Sequence, residues 1–315
     1  MKGLTDIPGI RVGHASDYSG VTGCTVVLCG PGAVGGVDVR GSASGAEELE
    51  TLRPGHVADR VHAVVLAGGS AFGLEAASGV RRYLEQKGVG FATGFAVVPI
   101  VPCAILYDLG IGKPGARPTR EMGEAAAAAA TAGPVPEGAV GAGTGATVGK
   151  LFGMDRAMKS GIGGATAPLG GGALVSALVA VNAFGDVRDP ATGKLIAGAR
   201  AARDSMDLAD TEAHIKRGAR GGFPRNTTLA VVATNARLDK VQAAKLAQLA
   251  GLGMARAIFP VNTMYDGDVV FALSLGQAEA DVNALGIAAA EAVSQAIVRA
   301  VQLAPTLAGV PGLAR

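Results

Sequence analysis

Apolar and polar positions along the 315 residues repeat with two different periods. Stretches 70–87, 119–132, 199–217, 238–254 and 278–303 carry apolar residues at a spacing near 3.6 and are rich in Ala, Leu, Glu and Lys, which predicts helices. In the fourth, Asp239 stands near the start and Gly251 and Gly253 at the end, where helix caps belong. Between the helices lie β-type runs at 25–28, 62–67, 172–187, 229–233 and 269–275. The third run, ALVSALVAVNAFGDV, passes almost directly into DPATGKL, whose Pro190 and Gly193 are turn residues. A hairpin is expected there, and with it antiparallel pairing. Helices and strands do not alternate strictly, which favours a layered α+β arrangement over a doubly wound parallel sheet. With no tandem repeat and no charged or Pro-rich linker, one domain over 1–315 is expected.

Composition narrows the function classes. The 28 Lys+Arg nearly balance 26 Asp+Glu, and only eight Phe and four Tyr are present, so neither a phosphate footprint nor a base-stacking surface is expected. The start, MKGLTDIPGI, lacks a basic segment followed by an apolar one, and no run of about 18 uncharged apolar residues follows. A soluble, cytoplasmic protein without a membrane partner is the expectation. Cys24, Cys29 and Cys103 have no zinc spacing and read as small buried hydrophobes. The 49 Gly are roughly twice the usual share of about 7%, so many turns and close backbone approaches are needed.

Several residues carry candidate chemistry. Asn226 and Thr227 follow the polar, Gly-rich stretch HIKRGARGGFPRN and open the apolar run TTLAVVATNA. A β-branched Thr at a strand start is ordinary. A Thr hydroxyl becomes a useful nucleophile, however, when a free amine on the same residue serves as its base, which requires cutting the peptide bond before Thr227. Asp266 and Asp268, at i and i+2 in YDGD, fall on one face of an extended segment, or else form a turn. Lys150 follows GAGTGATVG, but Leu151 after it breaks the phosphate-loop pattern. A Lys in a Gly-rich, apolar setting can instead hold charge near a reactive centre or have its pKa lowered. Asn182, amid apolar neighbours, is either a structural hydrogen bonder or an oxyanion donor. Tyr107 is either a core aromatic or a hydroxyl for the site. Ser70, after Gly68 and Gly69, suits a helix N-cap and a place by a pocket. The four His lack metal-ligand spacing and no GxSxG elbow occurs, which disfavours zinc and Ser-His-Asp hydrolases.

Long strings in order then carry a family likeness: TDIPGIRVGHASD with TGCTVVL, AGGSAFGLEAASGV, GAGTGATVGK, VNAFGDV, RNTTLAVVATNA and YDGD. Over nearly its whole length the chain resembles the L-aminopeptidase/D-esterase family, which includes β-aminopeptidases and nylon oligomer hydrolase. The resemblance implies a four-layer αββα sandwich of the N-terminal-nucleophile hydrolase type. It also implies self-cleavage between Asn226 and Thr227, giving chains 1–226 and 227–315. Thr in place of Ser is most similar to the nylon oligomer hydrolase branch. By the same resemblance Thr227 is the nucleophile, and Asp266 and Asp268 orient its amine and hydroxyl. Lys150 then supplies charge, Asn182 an oxyanion donor and Tyr107 a hydroxyl at the substrate. No cofactor or metal is implied. The implied substrate is a small amide, peptide or ester, and the implied assembly a homo-oligomer, a tetramer of cut units. An ornithine-acetyltransferase-like acyltransferase and an inactive binding module on this fold are the competing readings.

Overall fold

A computed structural model describes residues 2–221 and 226–314. Along it run β1 (Arg11–Asp17), β2 (Thr22–Val39), β3 (Ala46–Glu47), β4 (Val61–Ala67), α1 (Glu75–Gln86), the hairpin β5 (Phe91–Ala92) and β6 (Val97–Val98), β7 (Cys103–Ile105) and α2 (Arg120–Ala128). The pair β8 (Thr147–Val148) and β9 (Met158–Lys159) follows, then β10 (Ile162–Pro168), β11 (Leu174–Asn182), β12 (Asp186–Arg188), β13 (Leu195–Ala197) and α3 (Thr211–Lys216). The last third holds β14 (Thr227–Ala236), α4 (Lys240–Ala250), α5 (Leu252–Ala257), β15 (Ile258–Phe259), β16 (Val269–Ala278) and α6 (Val282–Gln302).

One strand joins two sheets. The first part of β2 pairs with β1 and β4, and its last part pairs with β16. Between them the register jumps, from Leu28 opposite Ala63 to Ala33 opposite Val61. The extra residues include Gly30 and Gly32, with φ of 57° and 125°, backbone conformations that side chains resist. The continuous order is β10-β11-β14-β16-β2-β4-β7-β3, with β1 alongside β2. Most pairs are antiparallel, but β14 with β16 and β4 with β7 are parallel.

Alternation along the strands shows the layers. In β14, Leu229, Val231 and Ala233 face a core between the sheets, while Ala230 and Val232 face α4, α5 and α6. In β4, Val64 and Leu66 face that same central core, while Ala63, Val65 and Ala67 face α1 and α2. The result is a four-layer αββα sandwich, and its strands read as unbroken apolar runs because both faces are covered.

Several boundaries differ from the sequence expectation. The expected strand 172–187 is two strands, β11 and β12, parted by Ala183–Gly185; β12 does form the expected hairpin with β13. Stretch 199–217 is helical only over Thr211–Lys216. Upstream of it the Arg200 guanidinium binds main-chain carbonyls of Asp155, Arg203 and Ser205, holding turns that Asp204, Ser205 and Asp207 favour. Asp239 caps α4 as expected, in a reciprocal box with Gln242. Gly251 does not end the helical stretch, because it keeps a right-handed φ of −57° and α5 follows to Ala257. Ser70 opens a 3-10 turn with φ of 54° and caps nothing with its side chain. Strands β1, β7 and β10 were not legible as strands, and β2 is far longer than 25–28. All three cysteines are buried and free. Helix α6 is long and apolar enough to cross a membrane by length and composition, and its apolar face packs on β10 and β11.

Candidate active site

Thr227 is the first residue of β14, and the ladder fixes it from both sides. Asn182 of β11 lies opposite it in antiparallel register, and Asn226 bridges Asp266 in parallel register. All four are buried, Thr227 to 2% exposure. The Thr227 hydroxyl donates to the carbonyl oxygen of Asn226 at 2.5 Å, and the Gly267 N–H donates to the same oxygen at 2.9 Å. The expected scissile carbonyl is thus held between its neighbour's hydroxyl and a main-chain donor. The 40–45 segment braces this strand: the Ala43 N–H donates to Asp266 O at 2.8 Å. A Cβ on Gly267 would come within 2.5 Å of Ala43 O, so the close approach requires glycine there.

The two carboxylates accept from different donors. Asp266 accepts from the Phe184 N–H at 3.1 Å, the Thr263 hydroxyl at 2.6 Å and the Thr263 N–H at 3.2 Å. Asp268 accepts from the Thr228 N–H at 2.6 Å and the Asn262 N–H at 3.0 Å. Burial pushes both carboxyls above the usual range, and for Asp268 the charge of Asp266 adds to the effect. Asp268 thus holds the main chain next to Thr227, whereas the Asp266 carboxylate holds Phe184 and Thr263. Asn226 is fixed by an amide donation to Tyr265 O at 3.0 Å, and its side-chain oxygen has no partner among the described residues.

Lys150 reaches the same place from the loop after β8. Its N–H donates to Phe184 O at 3.1 Å, and its Nζ donates to both oxygens of Asn182, at 2.8 Å to the main chain and 2.7 Å to the side chain. Burial lowers its pKa to about 7, against the pull of Asp266, Asp108 and Asp268. The Asn182 side-chain oxygen also accepts from the Thr147 N–H at 3.1 Å, and its amide nitrogen donates to Tyr107 O at 3.0 Å. Lys150, Asn182 and Tyr107 therefore form one connected set beside Thr227.

A cavity of about 270 Å³ opens over the set, lined by Tyr107, Lys150, Thr147, Phe184 and Asn226 together with Ile111, Leu151 and Met154. Thr227, Asp266 and Asp268 are not among its lining residues. Asp108 also borders the cavity, and the sequence reading missed it. It accepts from the Thr22 hydroxyl at 2.7 Å and the Gly69 N–H at 2.6 Å, and burial raises its pKa. A lone carboxylate inside the apolar run VPCAILYDLG was the signal available. Fully buried Lys159 was missed as well; it ties Gly143 O, Ala146 O and Ser160 O together under the same loop. Gly222, Phe223, Pro224 and Arg225, in the polar, Gly-rich stretch before the expected cut, lie outside the described residues. Among the described residues no group of three His, Cys, Asp or Glu is placed to hold a metal ion.

The family model for peptidase family S58 matches residues 2–315. The chain belongs to that family. An uncharacterized aminopeptidase of Mycobacterium tuberculosis is 40% identical over 345 residues, covering 99% of this chain and 96% of its own. A 6-aminohexanoate-oligomer endohydrolase of a Kocuria species is 33% identical over 312 residues, covering 94% of this chain and 84% of its own. Among solved structures, a Burkholderia β-aminopeptidase superposes with a TM-score of 0.70 at 26% identity, over 99% of this chain and 91% of its own. The L-aminopeptidase D-Ala-esterase/amidase of Ochrobactrum anthropi shares the fold, described as a variant of the Ntn-hydrolase fold, with a TM-score of 0.72 at 18% identity. It covers 96% of this chain and 86% of its own. The S58 chain is accordingly a hydrolase of amide bonds on an Ntn-type sandwich.

Proposed function

We propose that this S58 chain cuts itself between Asn226 and Thr227 and then hydrolyses small aminoacyl or ω-aminoacyl amides and esters through an acyl-Thr227 intermediate. The observation that carries the reading is the Thr227 hydroxyl lying 2.5 Å from the Asn226 carbonyl oxygen, with Gly267 N–H on that oxygen. Attack of Oγ on the Asn226 carbonyl carbon places negative charge on an oxygen that already has a fixed donor, the geometry of an oxyanion site. Collapse of the tetrahedral species breaks the C–N bond, moves the acyl group to Oγ and leaves a Thr227 amine; water then hydrolyses the ester.

The hydroxyl proton needs an acceptor. Asp266 and Asp268 are occupied by main-chain and hydroxyl donors, whereas Lys150 has an amine brought to about 7 and sits on Asn182, the cross-strand partner of Thr227. Its neutral form is the base for the cut. In turnover the freed Thr227 amine takes the hydroxyl proton, and Lys150 and the carboxylate pair hold that amine in place. Substrate enters the cavity bordered by Asn226 and Tyr107, where the Tyr107 hydroxyl meets it, and the Asn182 amide is the donor for its oxyanion.

The test is a denaturing gel and a substrate panel on fresh protein. Cutting yields a small fragment of about 9 kDa from the 31.1 kDa chain. Release of amine from aminoacyl anilides or ω-aminoacyl amides accompanies it. A single full-length band without turnover contradicts the reading, and acetyl transfer from acetylornithine to glutamate in place of hydrolysis would make the protein an acyltransferase.

A further inference from the structure

A second cavity, of about 490 Å³, opens beside the first and shares Gly110, Ile111 and Met154 with it. Arg200 lines it and is 6% exposed. Among the described residues its guanidinium donates only to main-chain carbonyls, those of Arg203, of Ser205 at 3.3 Å and of Asp155 at 2.7 Å, and its Nε has no partner. Among the described residues Arg200 forms no ion pair. Two partly buried guanidinium groups do: Arg81 meets Glu47 and Glu48, and Arg188 meets Asp210 and Glu212. A charge kept from water without a counter-charge is costly, and the cost falls when an anion arrives. Arg203 lines the same cavity from an exposed position, also without an ion pair among the described residues. Asp155 and Asp204 lie at the exposed rim.

We infer that this second cavity is a subsite for the carboxylate end of an elongated substrate, recognised by Arg200 and Arg203. The inference rests on the amide-hydrolase reading for its place in turnover. Ile111, Leu151, Met154 and Phe184 wall the reaction cavity, and Ile111 and Met154 continue into the second one. Aliphatic spacers or small side chains fit such a passage. The substrate class is thus an amide whose end remote from the scissile bond is the free carboxylate of an α- or ω-amino acid.

The test compares hexanoate with hexanamide, two ligands that differ in charge and not in length, by calorimetric titration of the full-length protein. Hexanoate binds more tightly by at least about tenfold, the scale of one charge-assisted hydrogen bond. The preference shrinks in Arg200→Lys and in Arg203→Glu, the second being an exposed position whose change spares the fold, and it survives in Lys150→Met. Equal binding of the two ligands, or no binding of either, overturns the subsite. So does a preference that vanishes in Lys150→Met and persists in both Arg variants, because the anion then sits in the reaction cavity. Turnover of a matched carboxylate-ended and carboxamide-ended amide is measured in parallel. A hexanoate preference without turnover sustains the subsite and removes the hydrolytic mechanism; turnover with no carboxylate preference does the reverse.

Discussion

In the half of the sandwich built from β10, β11, β14 and β16, the proposed reactive groups stand at strand ends. Thr227 opens β14, Asn182 closes β11, and Asp266 and Asp268 precede β16. Ladder and bridge bonds fix Thr227, Asn182 and Asp266, and the Asp268 carboxylate is held by the Thr228 and Asn262 N–H groups. The half built from β1, β4 and β7 with α1 and α2 contributes wall: Tyr107 and Asp108, on the loop after β7, border the cavity. Apart from Lys150, which reaches in from the loop after β8, the proposed chemistry is seated at the ends of ladder strands, and recognition, which must vary with substrate, is seated on loops.

Substitutions can break that division or sharpen it. The largest effect belongs to Thr227→Ala, which removes the nucleophile: cutting stops, and amide hydrolysis falls by at least about 10³-fold. Cutting that persists would point to Thr228 or to an outside protease. Lys150→Met comes next. Because burial lowers the amine from its ordinary 10.5 to about 7, it is neutral and basic above pH 7 and protonated below. The rate of fragment appearance in the wild type therefore rises through about pH 7 and levels off above it. The variant cuts roughly 100-fold more slowly without that limb. A wild-type rate that is flat from acid to alkaline pH removes Lys150 from the role of base.

Gly267→Ala forces a Cβ toward Ala43 O and displaces the N–H that holds the Asn226 carbonyl. Cutting slows by about tenfold, and thermal or denaturant unfolding shows a loss of about 1–3 kcal/mol, as for other overpacked sites. The smallest effect is expected from Tyr107→Phe in the opposite half. Its main-chain carbonyl still accepts from Asn182, so cutting proceeds at the wild-type rate while KM for small amides rises up to about tenfold. If Tyr107→Phe impaired cutting as strongly as Gly267→Ala, the division between halves would not hold.

Much of this was legible from residue order. The Asn226–Thr227 pair, the YDGD carboxylates, Lys150, Asn182 and Tyr107 each stood out as a polar group against an apolar or Gly-rich background. The structure brings all of them around one carbonyl or one adjoining cavity. Their partners were not legible. Gly267 acts through a main-chain N–H, which no residue identity announces, and the bracing segment at Ala43 is over 220 positions away in sequence. Stretch 199–217 was misread because its Ala content imitates a helix, while a single Arg200 side chain, bonding to three carbonyls, sets turns instead. The glycine surplus, first a sign of turns in general, has specific sites: Gly30 and Gly32 where β2 passes between sheets, and Gly267 beside the expected cut.

Self-cleavage at Thr227 is tested most directly by intact mass and N-terminal sequencing of freshly purified wild-type and Thr227→Ala protein. The wild type is expected as two chains, the smaller of about 9 kDa beginning Thr-Thr-Leu-Ala, and Thr227→Ala as one uncut chain of 31.1 kDa. A wild type that remains a single 31.1 kDa chain while hydrolysing amides, or a small fragment beginning at any other residue, would contradict it.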